Sequence, residues 1–402
     1  MGTARYIETV NNQVAIYTTA FSLVSQASTR VLGNTTDSYL GDPQIVWDTT
    51  TKKFYYAMFD ELSDGTYRLD IGYSRGPKPT SAATSFCHYY FRNASDPTAL
   101  PDYPKIGGIN SYLLIGVNYY GLGAPYSAVA WLKKPGAARV RSCPAAPATG
   151  MKTGMPFTPV PARQIDQPKT GYVLSSVPYG GSALTEIPVT ATAAGPSFGK
   201  PRSISVPAYR VPANAEQPNG RYLDTLDTRL WQVQQAYDPR LRRMELWTSL
   251  TTYAGAGSGV EWFEINPAGS VDQTGIISDP TLYVFNGSIS SDRAYTSRRL
   301  KAFGSNMVVG FDTSSASENP AIQMVSKRGA AATSDMVLVV RSAAPDQDFT
   351  CPDVGDTCRW GDYSSASPNP DASTTAGTGS VYLTSMYSGG AHWLTRNWVA
   401  TP

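Results

Sequence analysis

The chain has 402 residues, 41% of them hydrophobic and only 16% charged, with a formal net charge of +2. So balanced a charge excludes the strong fields by which proteins hold DNA, RNA or an anionic membrane. The 35 glycines, 30 prolines and 25 tyrosines favour turns and strands over helices and point to an all-β protein with a sizeable core.

In chain order, the start MGTARYIETV lacks the charged and apolar regions of a signal peptide, and no run of about 18 apolar residues follows that would span a membrane. Strands are predicted in YIETVNNQVAIYTTAF (6–21), GDPQIVWDTTTKKFYYAMFD (41–60) and YRLDIGYSR (67–75), then in DYPKIGGINSYLLIGVNYY (102–120) and YSAVAWLKK (126–134). The proline-rich stretch 135–168 reads as a long connection. Beyond it come DQPKTGYVLSSVPYGG (166–181), LTEIPVTAT (184–192), RLWQVQQAYD (229–238), RMELWTSLTTY (243–253), VEWFEIN (260–266), NMVVGFDTS (306–314) and AIQMVSKR (321–328). The last are GDYSSASPNPDASTTAGTGSVYLTSMY (361–387) and HWLTRNWVA (392–400). All cluster or alternate Val, Ile, Tyr, Trp and Phe and are closed by Gly, Pro, Asn or Asp. No long amphipathic helix is predicted.

Strand groups open near Asp42, Asp102, Asp166, Asp224, Asp279 and Asp362. A repeat of about 50 to 65 residues fits four-stranded propeller blades with long loops. The expected fold is a single β-propeller domain over residues 1–402, six- or seven-bladed, with 135–168 as an inter-blade connection. Strands from both termini are expected to share the closing blade, because an unpaired final blade leaves exposed sheet edges.

The four cysteines are even in number, lack metal-site spacing, and have only His88 and His392 to complete a zinc site. Two disulfides follow. Of three possible connectivities, Cys351–Cys358 with Cys87–Cys143 is the simplest, and disulfides suit an extracellular protein.

In a propeller the loops entering the first strands lie at one end of the channel, so Asp42, Asp102, Asp166, Asp224 or Asp227, and Asp362 are expected to converge at its mouth. Such acids can bind Ca²⁺, with Asp42, Asp102, Asp166 and Asp362 as candidate ligands. They can also supply the acid and base of a glycoside hydrolase, for which Asp102 and Asp362 are the nominated pair. The plainer use is structural: an Asp at a strand start accepts hydrogen bonds from backbone amides and fixes the turn. Arg359 can pair bidentately with a carboxylate or face a ligand. Tyr119 and Tyr120, with Tyr126, are the candidate sugar-stacking cluster, although most aromatics in such a protein pack in its core.

The run Arg359-Trp360-Gly361-Asp362-Tyr363-Ser364, together with DYPKIG (102–107), GFDTSSASENPAIQMVSKR (310–328) and HWLTRNWV (392–399), resembles a large group of bacterial extracellular proteins described as sialidase-like β-propellers. The resemblance implies that fold and an extracellular or cell-surface setting. True sialidases carry Ser-x-Asp-x-Gly-x-x-Trp boxes, and no clean copy occurs here. The expected function is action on a glycan or surface polysaccharide through channel-mouth carboxylates, either as a carbohydrate-recognising propeller or as a glycoside hydrolase. The alternative is a non-catalytic structural or adhesion module that presents loops to a protein partner in a surface assembly. No nucleophile elbow, Walker loop or dinucleotide fingerprint occurs in a suitable context.

Overall fold

The computed structural model describes residues 1–36, 39–294, 303–370 and 378–402. It is all-β. Among the described residues, helix is confined to Arg30–Gly33 and the single 3₁₀ turn Ala83–Ser85. Two compact units are present: residues 1–175 with 185–202 (unit 1), and 176–184 with 203–402 (unit 2).

Unit 1 begins with a three-stranded sheet, Tyr6–Val10, Gln13–Tyr17 and Leu23–Ser28. An antiparallel meander of Tyr39–Asp48, Lys53–Glu61, Tyr67–Ser74 and Phe86–Phe91 follows (the 39–91 sheet). The next is Leu100–Ile109, Tyr112–Tyr120, Tyr126–Lys133 and Thr149–Met155 (the 100–155 sheet). Val160–Pro161 and Thr170–Ser175 then open a further sheet. Tyr55, Leu69, Ile71 and Tyr73 pack against Ile106, Leu113, Ile115 and Leu132, joining two of these meanders through their faces.

Unit 2 repeats the plan. Its meanders are Leu230–Asp238, Arg243–Thr252, Gly259–Asn266 and Ser270–Ile277 (the 230–277 sheet), then Tyr283–Ser291, Met307–Ser315, Glu318–Lys327 and Val337–Arg341 (the 283–341 sheet). Ser365–Pro368, Val381–Ser388 and Trp393–Ala400 form the last sheet. Met307–Ser315 is buried at every position, so this second strand is covered on both faces and polar residues on it need partners inside.

One expectation changes. The stretch 135–168 is not merely a connection: Thr149–Met155 is the fourth strand of one sheet and Val160–Pro161 begins the next. Its Thr, Gly, Met and Lys residues carry little strand signal because it is a mostly exposed edge. Among the described residues the first strand pairs with the second, and Trp393–Ala400 pairs with Val381–Ser388.

A backbone device recurs at the heads of the meanders. In Gly41-Asp42-Pro43-Gln44, Asp102-Tyr103-Pro104-Lys105 and Phe285-Asn286-Gly287-Ser288 the ladder register breaks across the two middle residues. The first of these two is left-handed each time: Asp42 at φ 50°, Tyr103 at 54° and Asn286 at 56°. Thr158, Leu226 and Gly361 have positive φ ahead of the other first strands. A bulge of this kind bends the strand and re-aims its neighbours. Several of the freed amides are caught by side chains outside their own meander. Asp42 N–H donates to Asn11 Oδ1 at 3.0 Å, Thr158 N–H to Asn118 Oδ1 at 2.9 Å, and Asn286 N–H to Thr251 Oγ1 at 3.2 Å.

Both predicted disulfides are present, Cys87–Cys143 with Cα atoms 5.5 Å apart and Cys351–Cys358 with 4.7 Å.

Candidate functional site

The candidate site is built on the segment 348–364 of unit 2. Within it, Thr357 and Cys358 pair in parallel with Tyr222 and Leu223, and Asp224 N–H donates to the Cys358 carbonyl at 3.0 Å. This short ladder sets Asp224 beside Arg359. The Cys351–Cys358 disulfide closes the loop behind them, and Arg359 N–H donates to Thr350 Oγ1 at 2.9 Å.

Trp360 anchors the turn. It is 1% exposed and packs with Phe285, Met386 and both cysteines of the disulfide. Its indole N–H donates at 3.1 Å to Asp312, a fully buried carboxyl that also accepts from Ser385 Oγ at 2.7 Å. Burial pushes Asp312 up to about 7, and the hydrogen bonds from Ser385, Trp360 and Asn286 work against that rise. Gly361 follows with φ 84°; a Cβ there would lie 1.8 Å from Asn286 Nδ2, so any other residue would be strained and would have to displace the Asn286 side chain. With residues 360 and 361 fixed inside, Arg359 and Asp362 are both left at the surface.

Arg359 Nη2 lies 3.3 Å from Asp362 Oδ2, with side chains 66% and 28% exposed. A solvent-accessible pair of this length contributes little to stability. Asp224 lies beside this pair, and its Oδ1 accepts from Leu226 N–H at 2.7 Å. Burial raises its pKa; the Leu226 amide, Arg359 and Arg229 oppose the rise, and Asp362 adds to it. Arg229 in turn forks onto Asp227, Nε to Oδ1 at 2.9 Å and Nη2 to Oδ2 at 2.7 Å. The cluster therefore holds Asp224, Asp227 and Asp362 among Arg229 and Arg359.

Tyrosines adjoin it. Tyr222, on the same short strand as Asp224, is 37% exposed, and Tyr253 is 49% exposed. The Tyr283 phenol is raised by burial and by Glu216, which accepts its hydrogen bond, with Tyr222 and Tyr253 close enough to add to the shift. Arg210 lies over the Tyr253 ring at 4.9 Å. Rings of this kind present flat apolar faces beside hydrogen-bonding groups.

The structure thus brings together Asp224, Arg359 and Asp362 from the sequence candidates. Asp42, Asp102 and Asp166 lie in unit 1. Asp42 is itself a left-handed residue, whereas Asp102 comes one position before left-handed Tyr103, so the two acids do not occupy equivalent places. Asp166 is buried and follows Val160–Pro161, the strand that opens its sheet, rather than preceding it. Asp224 and Asp279 cap nearby amides, the plain structural use. Tyr119 is not exposed as expected: it is 2% exposed and stacks on Tyr126 at 5.1 Å, while half-buried Tyr120 meets Phe157 edge-on at 6.5 Å. Both belong to Tyr112–Tyr120, a strand buried along nearly all its length.

Sequence reasoning missed Arg229, Tyr253, Tyr283 and Glu216. Asp-Thr-Arg at 227–229 carries a faint signal, an Asp placed to cap an amide two residues on; the tyrosines carry none. Among the described residues, the group of three potential metal ligands within reach of one another is Asp346 with Cys351 and Cys358, and those sulfurs are joined to each other.

No family model matches the chain, and no curated protein matches it. Among solved structures it is similar to an α-L-arabinofuranosidase from Lactobacillus brevis, with a TM-score of 0.36 and 9% identity over 90% of this chain and 91% of that one. It is also similar to a Trypanosoma rangeli sialidase in complex with a difluorinated KDN, with a TM-score of 0.35 and 9% identity over 89% of this chain and 53% of that one. Likeness at this level assigns neither activity nor substrate.

Proposed function

We propose that the protein is an extracellular glycan-recognising and glycan-hydrolysing protein whose site is the Asp224–Arg359–Asp362 turn of unit 2. The observation that carries this reading is one guanidinium held at the surface beside the carboxyl groups of Asp224, which burial raises, and Asp362, with exposed Tyr222 two residues from Asp224 on the same short strand. Asp224, raised by burial, is suited to hold a proton and give it to a glycosidic oxygen. Asp362 is the partner carboxylate, acting on water or on the sugar itself, as paired-acid glycosidases require. Arg359 would orient a hydroxyl or carboxylate of the sugar, and Tyr222 and Tyr253 would stack against its apolar face.

In this reading the antiparallel meanders are the blades of a six- or seven-bladed propeller, and the two disulfides reflect an oxidising compartment. Ca²⁺ belongs to the proposal as an ion that steadies the turns at Asp42, Asp102 or Asp362, or the loop that follows Val160–Pro161 at Asp166. Each acid would contribute singly, with backbone carbonyls and water completing the shell.

The test is a panel of neutral and acidic oligosaccharides, with release read by mass spectrometry and binding by ligand-observed NMR. Both signals should be present in the wild type and fall at least tenfold in Arg359→Ala. No binding and no release across the panel would remove the reading. A second reading has its own support: Phe349 and Val354, 91% and 72% exposed, flank Cys351 in the same loop. Large exposed apolar side chains on a stapled loop suit a protein partner and a non-catalytic surface module.

A further inference from the structure

A separate feature of unit 1 has no part in that reading. The loop 75–85 and the segment 136–140 enclose an open cleft of about 580 Å³ lined by Arg75, Lys78, Thr84, Ser85 and Arg139, with no carboxylate on its walls. We propose that this cleft binds the anionic end of an organic ligand carrying a sulfate or phosphate monoester.

The cleft is built by the fold rather than left by a loose loop. Lys53 is fully buried, and its ammonium donates to the carbonyls of Thr51, Gly136 and Ala138 at 3.1, 2.8 and 2.9 Å, fixing the start of the far wall. Three residues past that wall, Cys143 is tied to Cys87 on the strand Phe86–Phe91. Between these anchors the walls are joined directly: Val140 N–H donates to the Arg75 carbonyl at 2.9 Å, and Arg75 Nε returns a bond to the Val140 carbonyl at 3.0 Å. Arg75 Nη1 reaches the Thr84 carbonyl at 3.3 Å, so its guanidinium is oriented before any ligand arrives.

Lys78 and Arg139 are exposed, and Arg139 runs over Gly76, where a Cβ would lie 3.8 Å from its Cγ. An oriented arginine with two further cations and no acid favours a compact anion, which charge-assisted forks hold best as sulfate or phosphate. The volume falls in the range of about 300 to 1,000 Å³ typical of pockets for organic ligands, so an inorganic ion alone would leave most of it empty.

The test is calorimetric titration of the whole protein with glucose 6-phosphate, glucose 6-sulfate, inorganic sulfate and glucose, at low and moderate salt. The proposal expects saturable binding of both esters, at least tenfold weaker in the Lys78→Ala, Arg139→Ala double variant and weaker at higher salt. Both side chains are exposed, so the variant should keep the wild-type melting temperature, and Arg75 is left in place to hold the walls. Three results would each overturn it: no heat from either ester, equal ester binding in the variant, or inorganic sulfate or plain glucose binding as tightly as the esters.

Discussion

The indole nitrogen of Trp360 donates to the carboxyl of Asp312 at 3.1 Å, in a place where both side chains are buried. That bond ties the turn carrying Arg359 and Asp362 to the second strand of the 283–341 sheet. Since Asp312 sits opposite Phe285 in the ladder, the residue before the left-handed head, one carboxyl secures both a strand head and the surface turn above it.

Replacing Asp312 by Ala would leave the donors Trp360 Nε1 and Ser385 Oγ buried without an acceptor. The expected loss is about 3 kcal/mol in urea unfolding, from lost bonds and stranded polar groups. Asp312→Asn, which retains an acceptor oxygen, should lose less than half of that.

Gly361→Ala is expected to cost at least about 2 kcal/mol, because the left-handed backbone is strained for alanine and the new methyl meets Asn286. Glycan binding should weaken with it, while Gly65→Ala, also left-handed but with open space around it, should lower stability only modestly and leave binding alone. Equal effects of the two substitutions on binding would separate the turn geometry from the site.

Burial raises a set of carboxyl groups: Glu245 and Glu264 to about 8, and Glu186, Glu261, Asp312 and Asp346 to about 7. Each holds its proton in the folded chain at a pH where the unfolded chain has released it. Their contribution is therefore complete below about pH 4.5 and is lost as pH rises through about 7 to 8. The Met1 amine, lowered to about 4 by burial and then by Arg163, acts in the opposite sense, but it is one group against six. The melting temperature should be higher at pH 5.5 than at pH 8.5; a flat or rising profile over that interval would contradict the burial of these acids.

The two disulfides differ in loop length, with sequence separations of 56 for Cys87–Cys143 and 7 for Cys351–Cys358. Loop-closure entropy assigns about 4 kcal/mol to the longer and about 2.5 to the shorter. Paired Cys→Ser variants should follow that order in denaturant unfolding. Loss of the shorter one should nevertheless damage glycan binding more, since it backs Arg359.

The strands were largely legible because Val, Ile, Tyr and Trp alternate between clear turn residues, and the runs at 67–75, 126–134 and 243–253 fall on observed strands within a residue. Both cysteine pairings could be read for a similar reason, since few partners were available. The repeat was misread in its register. Asp42 and Asp102 looked equivalent in sequence, yet the element they share is a left-handed bulge filled by Asp42 and Tyr103, and in unit 2 by Asn286. Backbone handedness leaves no fixed residue type behind, whereas an acid near a turn is common. Tyr119 was misplaced because its neighbouring loop suggested exposure, while its own strand is covered on both faces. The grouping of Asp224 with Arg359 depends on a two-residue parallel ladder between segments far apart in sequence, which no local pattern announces.

The central claim is that carboxyl chemistry resides at Asp224 and Asp362, and the most direct measurement is glycan release by Asp224→Asn, Asp362→Asn and Asp102→Asn beside the wild type, each with its melting temperature. The account predicts release at least a hundredfold lower in the first two variants and near wild type in Asp102→Asn, with all three folded. Release that survives in Asp224→Asn and disappears in Asp102→Asn would contradict it.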